Sequence, residues 1–561
     1  MDDNLPSAQA IAIKNGRIVA VGSNNDVLMF NDVSKTEILD LNGKTVVPGF
    51  IDSHSHIGDY TQLWGLPDLA PPPVGTVNNF ADINRIIRSY ISQKHIPAQE
   101  FVLGYGYDDS MLDERQHPQR TDLDHITNDH PFCLLHISQH LAVCNSLALL
   151  KVNITHNNIP VIPGGVIILD NNGEPTGRLE EQAVLFVIYK LIKPKNIEQA
   201  IKDFKNIQNY YASFGITTAQ DGYTSKQFTI ELLLKSDLIL DVVSYLAWTN
   251  AEEYIDEYKI NISKTYNRNN NHLKFGGIKI IQDGSPQGKT AYLTQPYLNP
   301  PIGQSNTYRG YPIMEQNQLD FFYDKFYSRK WQIQTHCNGD ACIEMVLNSI
   351  EKSQMKYQNY TDQRSVIIHS QVVRSDQLHQ YKILNIIPSF FEAHTFYWGD
   401  WHRTETLGEQ RAKFISPLRY VYDEQMRFSI HSDAPIIPPD HMFLIWAAVN
   451  RQTRSGIVLG ADQCITAFEA LKACTINAAY QYFEENIKGS ITLNKYADLT
   501  ILSENPTKVD SNKIKDIVVL QTIKEEKNDV KEMSLGQTRS LLQLKYPLSA
   551  SKCSARGCFF E

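Results

Sequence analysis

The sequence predicts an α/β protein built as a (β/α)₈ TIM barrel, with a small β-sandwich domain formed from both chain ends. Three observations predict this fold. Short apolar runs typical of buried strands alternate with helical stretches through the middle of the chain, eight such runs can be counted, and both ends carry short alternating strands with turns. The length of 561 residues accommodates one large barrel with attachments.

The two chain ends predict the β-sandwich domain. Residues 10–22 place two alternating apolar runs around Asn15-Gly16, and Asn-Gly is a strong signal for a hairpin turn. Residues 36–50 repeat the pattern of strand, Asn-Gly turn and strand, and residues 488–503 again read as short strands with turns. We therefore expect residues 1–48 and 486–525 to form one composite β-sandwich domain.

The middle of the chain supplies the barrel, predicted over residues 49–485. The eight candidate strands span residues 46–57, 215–222, 241–248, 275–285, 331–337, 365–371, 385–394 and 427–435. An insertion after the first strand, at about 58–200, carries further strand-like runs at 101–109 and 131–138. Residues 526–561 show no periodicity and are predicted to be a tail of unknown structure.

Composition excludes several classes of protein. Hydrophobic residues make up 42% and charged residues 20% of the chain, which is ordinary globular usage. The net charge of −9, without a basic stripe, argues against a nucleic-acid partner. No apolar run reaches membrane-helix length, and the opening MDDNLPSAQA lacks the features of a signal peptide. We expect no membrane partner and a cytoplasmic location.

The eight cysteines are too sparse for a disulfide scaffold. Six of them lie in apolar or helical contexts and are expected to be buried thiols: Cys133, Cys144, Cys337, Cys342, Cys464 and Cys474. Cys553 and Cys558 lie in the tail, where a pair and two exposed thiols are both open interpretations.

Potential metal ligands lie at the ends of the predicted strands. The first strand ends in His54-Ser55-His56, and alternate strand residues point to one face, so both imidazoles can approach one ion. His336 closes the fifth strand, His369 the sixth and Asp433 the eighth. Barrel active sites lie at these carboxyl ends, and the ligand set suits Zn, Mn, Fe or Ni.

Lys279 lies inside the apolar fourth strand, where an ammonium group is costly unless it is paired or modified. Two interpretations stay open. Lys279 is a carbamylated ligand that bridges two metal ions, or it is an ion-pair residue whose partner is Asp283 or another carboxylate.

The chain resembles the amidohydrolase superfamily, in the branch of amidohydrolase-3 type metal-dependent hydrolases. The resemblance rests on VVPGFIDSHSH (46–56), GYGYDDS (104–110), HLAVCNSLAL (140–149), GEPTGRLEEQA (173–183), GITTAQDG (215–222), IKIIQDGSPQGKTAYL (278–293), THCNGDA (335–341) and HSDAPIIPPD (431–440). Within that branch, SFFEAHTFYWGDWHR (389–403) is similar to N-substituted formamide deformylases.

The resemblance implies a centre of two divalent metal ions, with zinc first and Mn, Fe or Ni as alternatives. In it His54, His56 and Asp433 would hold one ion. His336 and His369 would hold the second, with Lys279 as a bridging carbamate. Asp433 would take a proton from the attacking water and deliver it to the leaving nitrogen.

The resemblance and the strand ends also suggest substrate contacts. His140 matches a family histidine that points to the site, and His394 ends the seventh strand. An aromatic wall is expected from Tyr397, Trp398, Trp401 and His402. Ordinary loop packing of these aromatic side chains stays an equal alternative.

Three functions are compatible with the sequence. The first is a metal-dependent hydrolase that cleaves the C–N bond of an amide or an N-substituted formamide. The second is a deaminase or cyclic-amide hydrolase of the same superfamily, and the third is a catalytically silent barrel that acts as a binding protein. The intact ligand set argues against the third. The expected partner is a small-molecule amide, and a homodimer and a monomer both stay open.

Overall fold

The computed structural model describes residues 6–32, 36–193, 195–265, 272–301, 303–358 and 362–525. These residues form four β-sheets of two, eight, three and five strands, with helices around them. The predicted tail, with Cys553 and Cys558, lies outside the described residues.

The strands are numbered in chain order. They are β1 Ala10–Lys14, β2 Arg17–Gly22, β3 Thr45–Pro48, β4 Phe50–Ile51, β5 Val102–Tyr107, β6 Phe132–His136, β7 Leu141–Cys144, β8 Gly165–Leu169, β9 Pro175–Glu181, β10 Ile216–Thr224, β11 Asp241–Ala247, β12 Leu273–Ile281, β13 Gln332–Cys337, β14 Val366–His369, β15 Ile387–Phe390, β16 Ser429–Ile430, β17 Leu499–Leu502 and β18 Val519–Ile523.

The helices are numbered in the same way. They are α1 Asn24–Leu28, α2 Ile57–Leu63, α3 Phe80–Lys94, α4 Arg120–Ile126, α5 Ser146–Lys151, α6 Gln182–Leu191, α7 Ile197–Ser213, α8 Gln227–Lys235, α9 Ala251–Tyr258, α10 Gln316–Tyr327, α11 Asp340–Lys356, α12 Ser375–Ile383, α13 Ala393–Trp401, α14 Glu409–Ala412, α15 Leu418–Asp423, α16 His441–Asn450, α17 Ala467–Ala473 and α18 Ile476–Gln481. A π-helix covers His402–Thr406, and 3₁₀ helices cover Ala461–Gln463 and Ser511–Asp516.

The central sheet confirms the eight predicted strands. Its order is β4-β10-β11-β12-β13-β14-β15-β16, and every neighbouring pair is parallel. All residues of β11 are buried, as expected for a parallel strand covered on both faces. Helices such as α11 bury one face, here through Ile343, Val346 and Ile350. The result is a curled α/β sheet whose carboxyl ends share one edge.

The first predicted strand is divided between two sheets. The run 46–57 forms β3, which pairs with β17, and then β4, which pairs with β10. The chain changes sheets at Pro48-Gly49, where the Gly49 amide donates to the Asp498 carbonyl and the Phe50 amide donates to that of Gly215.

The two ends of the parallel sheet meet just beyond β4 and β16. The Asp433 amide donates to the His54 carbonyl at 3.0 Å, and the His56 amide donates to the Ala434 carbonyl at 2.7 Å. β4 and β16 are each two residues long, and as the two edge strands of the sheet they do not pair with each other. A fully closed barrel therefore stays a prediction.

The predicted insertion contains the five-stranded sheet, in the order β5-β6-β7-β9-β8. β5 and β6 pair in parallel, and the other pairs are antiparallel. β5 and β6 confirm the strand-like runs 101–109 and 131–138. This sheet lies in sequence between β4 and β10, so the insertion follows the first strand of the parallel sheet.

The chain ends meet as expected. β1 and β2 form the predicted hairpin, and Asn15 and Gly16 both adopt positive φ, as a tight hairpin turn requires. β3, from the N-terminal region, pairs with β17, which pairs with β18. Residues 36–41 form no strand and expose Ile38 and Leu39. Assembly of these two sheets into a sandwich, and the domain boundaries, stay predictions.

The expectation of six buried thiols was wrong for four cysteines. Cys133 and Cys144 lie opposite each other on β6 and β7 and form a disulfide. Cys337 and Cys342 form a second one between β13 and α11. The sequence does not reveal strand register, which is what brings the first pair together. Cys474 is a free, buried thiol, as expected, whereas Cys464 is a free thiol that is only partly buried.

Among the described residues, no helix combines the length and the apolar character needed to cross a membrane.

Candidate active site

The carboxyl edge of the parallel sheet brings His54, His56 and Asp433 together. The Nε2 atoms of His54 and His56 lie 3.5 and 3.4 Å from Asp433 Oδ1. The three residues present ligand atoms that all lie within 4.8 Å of one another. The two backbone hydrogen bonds beyond β4 and β16 hold the segments that carry them.

Asp433 remains a carboxylate in these surroundings. Burial alone would raise its pKa, but the surrounding histidines, led by the hydrogen bond from His56, outweigh burial and hold the pKa well below its usual range. Its backbone adopts φ 54°. Strained conformations of this kind occur at functional sites, where the surrounding contacts enforce them.

His336 and His369 extend the cluster from the ends of β13 and β14. Their ring centroids are 4.6 Å apart, and His369 Nε2 lies 3.8 Å from Asp433 Oδ2. Burial lowers the pKa of His54, His336 and His369 well below the ordinary value. These three imidazoles are therefore neutral near pH 7, which is the form that binds metal ions.

Lys279 points into the same cluster from β12. It is 1% exposed, and its Nζ lies 3.0 Å from His54 Nε2. Burial lowers its pKa to about 7, against the attraction of Asp433. The carboxylate that attracts the Lys279 ammonium group is thus Asp433, not Asp283. Near neutral pH a substantial fraction of Lys279 is the uncharged amine.

A glutamine determines which nitrogen of His54 faces the cluster. Gln220 Oε1 lies 2.5 Å from His54 Nδ1, and the amide nitrogen of Gln220 donates to the Ser53 carbonyl at 3.1 Å. The Gln220 oxygen only accepts hydrogen bonds, so His54 Nδ1 carries the proton. The lone pair of Nε2 is left facing Lys279 and Asp433.

His431 orients His369 in the same way that Gln220 orients His54. Its Nδ1 lies 2.9 Å from Ser389 Oγ, and its Nε2 lies 3.3 Å from His369 Nδ1. This contact engages Nδ1 of His369 and leaves Nε2 directed toward Asp433. Histidines that bind metals commonly have their second nitrogen held in this way.

Asp283 organises the loop after β13. Its carboxylate accepts hydrogen bonds from the amides of Asn338, Gly339 and Tyr292, at 2.9, 2.8 and 3.1 Å. Burial raises its pKa to about 7, against these hydrogen bonds. Its Oδ1 lies 3.5 Å from His336 Nδ1, close to that histidine but without a hydrogen bond to it.

Beside the cluster, the buried Glu181 pairs with the partly buried His140. His140 Nδ1 lies 2.6 Å from Glu181 Oε2, and the His140 ring centroid is 4.9 Å from that of His336. Burial alone would lower the pKa of His140, but Glu181 outweighs burial and raises it. The backbone of Glu181 adopts φ 52° and ψ −122°, a strained conformation for a residue with a side chain.

The other three predicted substrate contacts are buried side chains. The His394 ring centroid lies 5.9 Å from that of His369, and Trp398 Nε1 donates to Asp108 Oδ2 at 2.7 Å. His402 is fully buried between Gln371 and Thr406. None of these three side chains lines the cavity described next, and their role as substrate contacts stays a prediction.

A cavity that is partly open to solvent leads to the cluster. Its inner end is lined by the predicted metal ligands and the His140–Glu181 pair: His54, His56, Lys279, His336, His369, Asp433, His140 and Glu181. All six predicted ligands and one predicted substrate contact, His140, therefore face one space. The six predicted ligands come from five strands of the parallel sheet, or from the segments just beyond them.

Sequence reasoning did not assign three residues of this site: Gln220, Glu181 and His431. Each lies in a motif that was visible. Gln220 ends GITTAQ in the second strand of the parallel sheet, Glu181 ends GRLEE, and His431 directly precedes Ser432-Asp433. For His431, its place just beyond a strand of the parallel sheet was the available signal.

Comparisons with known proteins find similarity along most of the chain. The model of the amidohydrolase family matches residues 37–528. N-substituted formamide deformylase of Arthrobacter pascens is 26% identical over 527 residues, which cover 92% of this chain and 93% of that protein. The putative amidohydrolase YtcJ of Bacillus subtilis (strain 168) is 25% identical over 537 residues, covering 92% and 94%.

The fold has a solved counterpart. The crystal structure of an uncharacterized metal-dependent hydrolase from Pyrococcus horikoshii OT3 superposes with a TM-score of 0.68 at 22% identity. The superposition covers 89% of this chain and 94% of that one, so the two chains share their fold over nearly their whole length.

Proposed function

Because the chain belongs to the amidohydrolase family, we propose that it is a metal-dependent hydrolase that cleaves the C–N bond of a small amide, with N-substituted formamides as the first substrate class. The observation that carries this proposal is the cluster at the inner end of the cavity. Neutral imidazoles, a carboxylate and a buried lysine converge there from separate strands. The name of the Arthrobacter pascens relative supports the substrate class.

The residues present fit a divalent metal centre. His54 presents the Nε2 lone pair because Gln220 holds its other nitrogen, and His369 presents Nε2 because of His431. Imidazole and carboxylate ligands suit zinc, with Mn, Fe or Ni as alternatives. We propose that two ions bind, one held by His54, His56 and Asp433.

His336 and His369 would hold the second ion. Lys279 would be shared between the two ions after its uncharged amine adds carbon dioxide, forming a carbamate and releasing one proton. The lowered pKa of Lys279 and its position beside His54 support this assignment. An unmodified ammonium group cannot act as a ligand.

When bound, the divalent ions supply Lewis acidity, which lowers the pKa of water and polarises a carbonyl group. Asp433 is a carboxylate at this position, and we propose that it accepts the proton of the attacking water. The water oxygen bonds to the carbonyl carbon, the C–N bond breaks, and Asp433 returns the proton to the leaving nitrogen. A formamide gives formate and an amine.

Elemental analysis of the purified chain, followed by a substrate panel, tests this function. We expect about two equivalents of zinc or a similar metal, and release of free amine from N-alkyl or N-aryl formamides. Ammonia release from ring amidines, with intact formamides, would replace the proposal by the deaminase alternative. A protein that binds no metal after reconstitution would contradict both and favour the silent barrel.

A further inference from the structure

The cavity has a second part with a different character. Besides the metal-ligand cluster and several neutral polar side chains, its lining contains a group of aliphatic side chains, which we call the apolar chamber: Leu63, Leu103, Leu135, Val184, Leu185, Ile188 and Ile436. Substrate pockets characteristically combine a few polar groups at the reacting end with apolar walls. The chamber and the metal-ligand cluster line the same cavity, so a substrate whose reacting bond lies at the cluster can extend into the chamber.

Most of the chamber is built by the insertion. Leu103 lies on β5, Leu135 on β6, and α6 contributes Val184, Leu185 and Ile188. α6 begins directly after Glu181, the strained residue whose carboxylate holds His140. The wall of the chamber is therefore fixed in position relative to the metal-ligand cluster.

The charges around the chamber are already paired. Asp59 and Lys226, which both line the cavity, form an ion pair at 3.4 Å, and Glu181 is bonded to His140. The other described lining residues outside the catalytic end carry neutral side chains. A charged group entering the chamber would lose its hydration without gaining a free counter-ion, which is costly.

We propose that the apolar chamber binds an uncharged hydrocarbon substituent of the substrate, alkyl or aryl, and that α6 is the element that selects it. The inference rests on the proposed function for the identity of the reacting group. Specificity on this account comes from the insertion, and the aromatic side chains of α13 are packing residues. Amides whose substituent ends in a carboxylate or an ammonium group are poor ligands.

Calorimetric titration of the metal-loaded, full-length protein tests the proposal without requiring turnover. The probes are N-propyl and N-hexyl methanesulfonamide, which resist hydrolysis, and the hexyl compound ending in a carboxylate or an ammonium group. We expect the hexyl compound to bind roughly tenfold or more tightly than the propyl compound, because added methylenes are buried. Both charged compounds should bind more weakly than the hexyl compound, by a similar factor or more.

Two substitutions on α6 form a matched pair. Leu185→Trp places an indole in the chamber and should weaken hexyl binding at least tenfold while leaving propyl binding closer to that of the wild type. Lys190→Trp places the same side chain at an exposed position of α6 outside the cavity lining and should leave both affinities unchanged. Ile188→Ala, which enlarges the chamber, provides a second measurement if Leu185→Trp does not fold, and should favour a bulkier branched substituent.

The outcomes separate the two proposals. If the sulfonamide pattern holds while no amide is hydrolysed, the chamber assignment stands and the proposed function fails. If formamides are hydrolysed but the charged compounds bind as tightly as the hexyl compound, the chamber assignment is overturned and the function stands. Equal effects of Leu185→Trp and Lys190→Trp would also overturn it.

Discussion

At the scale of single residues, the site depends on which nitrogen of each histidine carries a proton. Gln220 and His431 each engage Nδ1 of a neighbouring histidine, so that Nε2 of His54 and of His369 faces Asp433. Burial keeps these imidazoles neutral, while Asp433 stays charged. The protein thus prepares one anion among neutral nitrogen ligands, which is the state that a cation requires.

Substitution of Asp433 by asparagine tests its role as the proton acceptor. The amide is nearly isosteric but cannot accept a proton, so we expect kcat to fall by about 10²–10⁴-fold. The thermal unfolding midpoint and part of the metal content should be retained. Steady-state kinetics with elemental analysis provides the measurement, and retention of most activity would contradict the mechanism.

Lys279 offers a second test at this scale. We expect Lys279→Ala to bind one metal equivalent fewer than the wild type, because the proposed bridging carbamate is lost. Added acetate or propionate should restore part of the metal content and activity by filling the space of the missing group. An unchanged metal content would show that Lys279 is an ion-pair residue.

The candidate metal ligands could be predicted from the sequence, but the side chains that orient them could not. His54, His56, His336, His369 and Asp433 could be selected because strand ends have a recognisable pattern. Gln220 and Glu181 act through hydrogen bonds to residues distant in the chain, and His431 contacts a distant histidine. The strained backbone of Glu181 cannot be predicted from its residue type. The same limitation applies to Cys133 and Cys144, whose pairing depends on register.

At the scale of elements, the segment after β15 contains a π-helix that begins at His402. Such turns are rare and often occur at functional sites. His402 is fully buried, with Nε2 2.9 Å from Gln371 Nε2 and Nδ1 2.9 Å from Thr406 Oγ1. Burial lowers its pKa to about 3. The element therefore depends on a neutral imidazole.

This burial makes the stability of the protein sensitive to acid. The unfolded chain protonates His402 below pH ~6.5, while the folded chain resists protonation down to about pH 3. The stability that His402 contributes is thus complete above pH ~6.5 and is lost as the pH falls. We expect a loss of about 2 kcal/mol from this group between pH 7 and pH 5.

His402→Gln isolates that contribution. Glutamine keeps hydrogen-bonding capacity but does not titrate, so the unfolding free energy of this variant should fall by about 2 kcal/mol less than that of the wild type over the same pH interval. Urea denaturation at both pH values gives the difference. Parallel pH dependences in the two proteins would show that His402 is not neutral in the folded state.

Elements with a strong local pattern were predicted more accurately than weak ones. The eight strands of the parallel sheet and the β1–β2 hairpin were identified from apolar runs and an Asn-Gly turn. The run 46–57 was taken as one strand because its apolar character is continuous, yet the chain changes sheets at Pro48-Gly49. Residues 36–41 have a strand-like pattern without a neighbouring strand to pair with among the described residues.

At the scale of the whole molecule, a buried ionic network joins the C-terminal strands to the parallel sheet. Lys524, just beyond β18, lies 2.9 Å from Asp241 of β11 and 3.0 Å from Asp498. Lys488 also contacts Asp241. Burial alone would raise the pKa of Asp241, but the two lysines outweigh burial and hold it well below its usual range.

Breaking this network should destabilise the chain. Lys524→Met leaves the carboxylates of Asp241 and Asp498 without one of their cations in a buried setting, which costs about 3 kcal/mol or more. The exposed Lys513→Met is the matched control, expected to change stability by less than about 0.5 kcal/mol. Urea midpoints followed by tryptophan fluorescence provide the comparison, and equal midpoints would exclude a stabilising role for the network.

The insertion between β4 and β10 has a consequence for how this protein can diverge. The predicted catalytic ligands come from the parallel sheet and the segments beyond its strands, whereas much of the apolar chamber comes from α6, β5 and β6. Mutations that reshape the chamber therefore need not disturb the ligands. Evolution can therefore change the substrate specificity of this protein while keeping its catalytic chemistry. For the same reason, randomising α6 alone is a route to engineered variants with new specificity.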